Sequence, residues 1–145
     1  MINHTLTRPP KPRSGPYSGN ADRCGRCPKP AEILQWCRQH AEEVADQRVS
    51  KFIRRRDGAC VMCGERAPWL LEAAHILRRR YMRVRWNPLN LLALCNSCHY
   101  GFDHEPKTGR AWLRGNRPGL LEQLEAMKDS APMPDVGEVI VRYSA

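Results

Sequence analysis

CVMCGERAPWLLEAAHILRRRYMRVRWNPLNLLALCNSCHYGFDH, residues 60–104, is the stretch whose reading decides the fold. It opens on one Cys-x-x-Cys pair, Cys60 and Cys63, and nearly closes on another, Cys95 and Cys98. Zinc takes four soft or borderline ligands in a tetrahedron, and two cysteines on one tight turn supply half of that set. Upstream lie a third pair, Cys24 and Cys27, and a Cys-x-x-His, Cys37 with His40. If that last pair is helical, its i, i+3 spacing puts both ligands on one face. Four half-sites make two zinc sites and consume all 7 cysteines plus His40. The shortest loop closures pair Cys24, Cys27, Cys37 and His40 for one zinc and Cys60, Cys63, Cys95 and Cys98 for the other. Spacing alone leaves an interleaved pairing open.

Composition agrees with a stapled fold. The 145 residues suit a single domain, and with 41% hydrophobic and 7% aromatic residues the core is lean. Small domains with thin cores need such staples. The net charge of +9 favours a polyanionic partner, nucleic acid ahead of a membrane surface. The longest apolar runs, 69–71 and 91–94, are too short to span a bilayer. Residues 1–20, with 4 prolines, 2 glycines and 3 basic residues, hold no apolar stretch and so no secretory signal. They read as a disordered basic arm. An odd cysteine count in a chain without export argues for metal over disulfides.

Apolar spacing predicts a helix over 31–56, ended by Asp57-Gly58. Residues 69–76 and 82–86 read as short strands, the second alternating apolar and basic. Asn87-Pro88 makes a turn, 89–102 reads as a short helix, and Pro118 opens a helix to about Asp129. Residues 138–143 look strand-like. The division that follows is an arm (1–20), a zinc knuckle with its helix (21–56), a core (57–107), and a C-terminal helix and tail (108–145).

The quoted stretch resembles the HNH endonuclease family, the ββα-metal or His-Me finger nucleases, in a phage-type form with a four-cysteine zinc site. The features that carry the resemblance are the two flanking cysteine pairs, Ala-His-Ile around His75, Asn90 in NPLNLLALC, and His99 directly after the last cysteine. The resemblance implies a small α+β, metal-stabilised fold, a ββα-metal core with an added zinc knuckle and flanking helices. It implies hydrolysis of phosphodiester bonds in double-stranded DNA, leaving a 5′-phosphate and a 3′-hydroxyl. His75 takes the place of the general base, and Asn90 that of the second catalytic residue, which helps hold the hairpin loop and the orientation of the imidazole. His99 becomes a ligand of one catalytic divalent metal, Mg²⁺, Mn²⁺, Ni²⁺ or Zn²⁺, beside the two structural zincs. A neutral histidine suits the base role near neutral pH. The setting implied is the cytoplasm of a bacterial or phage-infected cell.

One position departs from the family pattern. Many members carry a metal ligand immediately before the base histidine, and here that residue is Ala74. A helix continuing past Gly101 would bring Asp103 beside His99, whereas Gly101 and Pro106 favour an unwound end from which His104 reaches the metal. Paired histidines occur in this part of the motif in relatives such as the colicin nuclease domains, at a spacing one residue shorter. His99 and His104 are thus the expected metal pair, with Asp103 in reserve. Arg78, Arg79, Arg80, Arg83 and Arg85 fill the segment between His75 and Asn90 without one acidic residue, and they mark the expected DNA contact. Two other readings stay open: a zinc-ribbon-like nucleic-acid-binding protein without cleavage, and a zinc-scaffolded adaptor for protein partners. Oligomeric state is not legible.

Overall fold

The computed structural model describes residues 23–145; the basic arm read at 1–20 lies outside the described residues. In chain order the elements are α1 (Arg38–Asp57), β1 (Leu71–His75), β2 (Leu91–Cys95), α2 (Asn96–His104), α3 (Pro106–Asn116), α4 (Leu120–Ser130) and α5 (Val136–Arg142). Single 3-10 turns, Pro68–Leu70 and Pro88–Asn90, lead into the two strands. The small α+β class read from the sequence is the observed one. The described chain divides into a smaller unit, 23–45 with 136–145, and a larger one, 46–135.

In the larger unit β1 and β2 pair antiparallel, from Leu71 opposite Cys95 to His75 opposite Leu91. All five residues of β2 are buried, as a short apolar run with no polar face requires. Its outer edge is satisfied without a third strand. Val61 N–H donates to the Ala93 carbonyl, and the Asp57 carboxylate accepts from Ala93 N–H. Arg56 in the last turn of α1 donates to the carbonyls of Pro88 and Leu91. Leu71, Ala74, Leu92, Leu94, Phe102 and Leu113 form the main core, and Leu77, Val84 and Leu124 a second cluster. A Cβ on Gly109 would stand 3.0 Å from the Phe102 ring, so glycine there lets α3 pack closely.

Four sequence expectations change. Residues 89–102 are not one helix: the apolar run 91–95 is the second strand, and α2 starts only at Asn96. Periodicity cannot separate a short buried strand from a buried helical segment, and pairing with β1 decides it. Residues 82–86 are not a strand but consecutive turns, with Val84 N–H bonded to Tyr81 O, Asn87 N–H to Val84 O and the Asn90 side chain to Val84 O, so their backbone is satisfied locally rather than by a ladder. Residues 138–143 are mostly helical, with Val136, Val139 and Ile140 buried at i, i+3, i+4 spacing. The helix read from 31 begins at Arg38, since 23–36 form the turns of the knuckle, with bridges Arg23 to Pro30 and Ile33 to Trp36. Its end at Asp57 and left-handed Gly58 is as read. α3 had no sequence counterpart.

Between the strands, residues 77–84 hang on one side chain. Asn90 is fully buried; its Oδ1 accepts from Leu77 N–H at 2.7 Å, and its Nδ2 donates to the carbonyls of Leu77 and Val84 at 2.9 and 3.1 Å. Removing it takes the partner from the Leu77 N–H and carbonyl and leaves the Val84 carbonyl only its turn bond from Asn87 N–H. N90A is therefore expected to destabilise the protein by about 2–4 kcal/mol. Urea unfolding measures this, and a loss below about 0.5 kcal/mol would show that the loop stands without Asn90.

Candidate functional site

Two groups of sulfur and nitrogen atoms gather as the cysteine spacings require. Cys24, Cys27, Cys37 and His40 bring their ligand atoms within 4.8 Å of one another, as do Cys60, Cys63, Cys95 and Cys98. The pairing is nearest-neighbour, not interleaved. In the first group Cys27 and Cys37 sulfurs stand 3.7 Å apart, and His40 Nδ1 lies 3.1 Å from Cys24 Sγ and 3.5 Å from Cys37 Sγ. In the second, Cys63 and Cys95 sulfurs are 3.6 Å apart. A zinc tetrahedron with Zn–S of about 2.3 Å has sulfur–sulfur edges of about 3.8 Å, while a disulfide would need about 2.05 Å. Both groups fit zinc.

The electrostatics agree. Burial pushes the Cys24 thiol up, yet backbone hydrogen bonds from Cys37 and Arg26 bring it down to about 6. Cys60 is likewise opposed by burial and brought down to about 7 by backbone hydrogen bonds. Cys98 is driven up by burial and then by its sulfur neighbours. Each cluster welcomes one thiolate and resists the next, a conflict that a central dication removes.

The catalytic candidates lie in the larger unit along an open cleft of about 810 Å³. His75, at the end of β1, lines it together with Glu72, His99, Asp103 and His104. His75 Nε2–H donates to the Arg85 carbonyl at 2.9 Å, which leaves Nδ1 as the proton acceptor. Burial holds its pKa below the usual histidine range, against the opposing effect of that hydrogen bond and the Asp46 charge. The ring is thus neutral at neutral pH. The Asn90 side chain bonds to Leu77 and Val84, not to the His75 ring, and so orders the loop that carries Arg85 out of β1 and back.

α2 stays helical through Gly101 to His104, contrary to an unwound end. The i, i+4 geometry therefore brings Asp103, not His104, to His99, with Asp103 Oδ2 at 3.3 Å from His99 Nε2. His104 turns back onto its own helix, donating from Nδ1 to the Tyr100 carbonyl and stacking on the Tyr100 ring at 4.0 Å. On its other nitrogen, His99 Nδ1–H donates to Glu72 at 2.6 Å. Glu72, on β1, is the acidic residue that the sequence reading passed over, and its mark as a site residue is its bond to His99, 27 residues away. Ala74 is buried among Leu71, Leu92 and Leu94 and does not line the cleft.

Of the arginines, Arg78, Arg79 and Arg80 are exposed, and Arg78 and Arg79 line the cleft. Arg80 lies over Tyr81 and bonds its hydroxyl. Arg83 donates to the Ala131 carbonyl, and Arg85 pairs with Asp46 at 2.7 Å. The five were read as one strip; the structure splits them into three outward and two inward.

A ββα unit with a four-cysteine group that fits zinc, and with histidines and carboxylates along one cleft, has the makings of a metal-assisted hydrolase. Residues 60–105 match the family model for HNH endonucleases, which spans the four-cysteine group, both strands and α2. An HNH domain suggests nuclease activity in general, and HNH nucleases generally act on DNA. No curated protein and no solved structure matches the chain. No helix among the described residues is long and apolar enough to cross a membrane.

The metal groups generate a direct expectation. Elemental analysis of the purified protein should find about two zincs per chain, and strong chelation should unfold it, since structural zinc contributes folding energy outright. Less than one zinc per chain, or a folded metal-free form, would contradict the assignment.

Proposed function

We propose that the protein is a metal-dependent endonuclease of HNH type that hydrolyses phosphodiester bonds in double-stranded DNA, with His75 as general base. The observation that carries this reading is the opposition, along one cleft, of a half-buried neutral histidine whose Nδ1 is left as acceptor and a histidine–carboxylate pair on α2. His75 takes the proton of the attacking water through Nδ1, while the Arg85 carbonyl fixes the ring.

The His99–Asp103 pair suits a divalent cation. Two ligands about 2.1 Å from one metal stand about 3.0–3.4 Å apart, which matches the 3.3 Å between His99 Nε2 and Asp103 Oδ2. Bound there, a cation supplies positive charge to the phosphoryl and leaving oxygens. Glu72 holds Nδ1–H of His99 and so turns the Nε2 lone pair towards Asp103. Arg78 and Arg79 at the cleft supply cations for the DNA backbone, with Arg80 beside them.

Plasmid cleavage with Mg²⁺ or Mn²⁺ tests the reading. H75A should lose roughly 10²–10⁴ in rate while keeping its zinc and its DNA affinity. Because the folded His75 has a lowered pKa and acts as the neutral base, activity should persist below pH 6.5 and fall only as pH drops through that lowered value. D103A should shift the metal titration of cleavage, whereas H104A should not. If H104A alone shifts it, the metal belongs to His99 and His104. DNA binding without cleavage under any of these metals would leave a non-catalytic zinc-stapled binding protein.

A further inference from the structure

Asp46, on α1, lies outside the segment matched to the HNH family, yet it grips the part of the loop that supports His75. Its Oδ1 accepts from Trp86 Nε1–H at 2.8 Å and from Arg85 Nε–H at 3.1 Å, and its Oδ2 accepts from Arg85 Nη2–H at 2.7 Å. One carboxylate thus holds two consecutive residues. The pair is largely sheltered, with 21% of the Asp46 side chain and 15% of the Arg85 side chain exposed. The Arg85 guanidinium also lies over the Trp86 ring, 5.0 Å from its centre, and Trp86 is buried.

Arg85 is the residue whose carbonyl accepts from His75 Nε2–H. That carbonyl sits in a run of turns rather than in a sheet, and the Arg85 N–H makes a 3.3 Å turn bond to the Met82 carbonyl. The peptide that carries it joins Arg85 to Trp86, and Asp46 holds the side chains of both. We propose that Asp46 is a positioning residue for the general base: by clamping Arg85 and Trp86 it fixes the carbonyl that sets the tautomer and orientation of His75. The inference rests on the reading of His75 as the base, and it adds a residue from the helix that precedes the nuclease core.

The test combines nitrogen-15 NMR of the histidine rings with cleavage kinetics on the full chain. In the wild type His75 should be the Nε2–H tautomer. D46A should populate the Nδ1–H tautomer and lower kcat by about 10²-fold, with KM changed only a few-fold, the cost of a misplaced catalytic group. D46N keeps an acceptor for Trp86 and Arg85, and should recover the tautomer and most of the rate. If D46A loses its zinc or its fold, R85K and W86F, each removing part of the clamp, take its place with the same readouts. An unchanged tautomer overturns the proposal whatever the rate, as does an unchanged kcat in an active enzyme. A wild type that cuts no DNA defeats the nuclease reading instead, and the tautomer alone then decides the role of Asp46.

Discussion

Cys63 and Cys95 lie 32 residues apart in the chain and their sulfurs 3.6 Å apart in space, and the rest of the HNH-matched core depends on that closure. The closed loop contains β1, the arginine segment, Asn90 and β2. Closing it costs chain entropy that a two-stranded sheet of five residues per strand is poorly able to offset alone. A zinc held by the four cysteines would fix both ends at once, next to the start of the register at Leu71 opposite Cys95 and to the point where α2 leaves the end of β2. Asn90 then supplies locally what the sheet cannot, by satisfying the loop backbone at Leu77 and Val84.

The functional geometry follows from this frame. Register pairing puts His75 opposite Leu91 at the far end of the ladder from the cysteines, where β1 opens into the loop. α2 carries Cys98 into the metal group and, one residue on, His99 towards Glu72 of β1. The same short helix thus staples the fold and presents the histidine–carboxylate pair. The charges divide accordingly. Arg85 turns inward to Asp46 and Arg83 to a backbone carbonyl, so the arginines left outward, Arg78 to Arg80, are those beside the cleft.

Much of this was legible in the sequence, and the reasons differ by residue. The metal groups were readable because ligand chemistry and spacing are local, and their pairing followed from loop closure. Residues 91–95 were misread because five apolar residues have no period, and only the partner strand settles their state. Residues 82–86 alternate like a strand, yet Val84 and Trp86 reach the interior from turns. Gly101 and Pro106 suggested a helix end before Asp103; the helix runs through Gly101, and Pro106 instead opens α3. Glu72 and Asp46 were invisible as site residues because their meaning lies in partners distant in the chain, His99 for one and the Arg85–Trp86 pair for the other.

Amide hydrogen exchange of the strands in C98S tests most directly whether the four-cysteine group holds the HNH-matched core. The closure described here predicts that losing one ligand removes protection from the amides of 71–75 and 91–95 together, as one cooperative unit. A C98S protein in which that ladder keeps wild-type protection would contradict it, and would place the source of the fold in the apolar core instead.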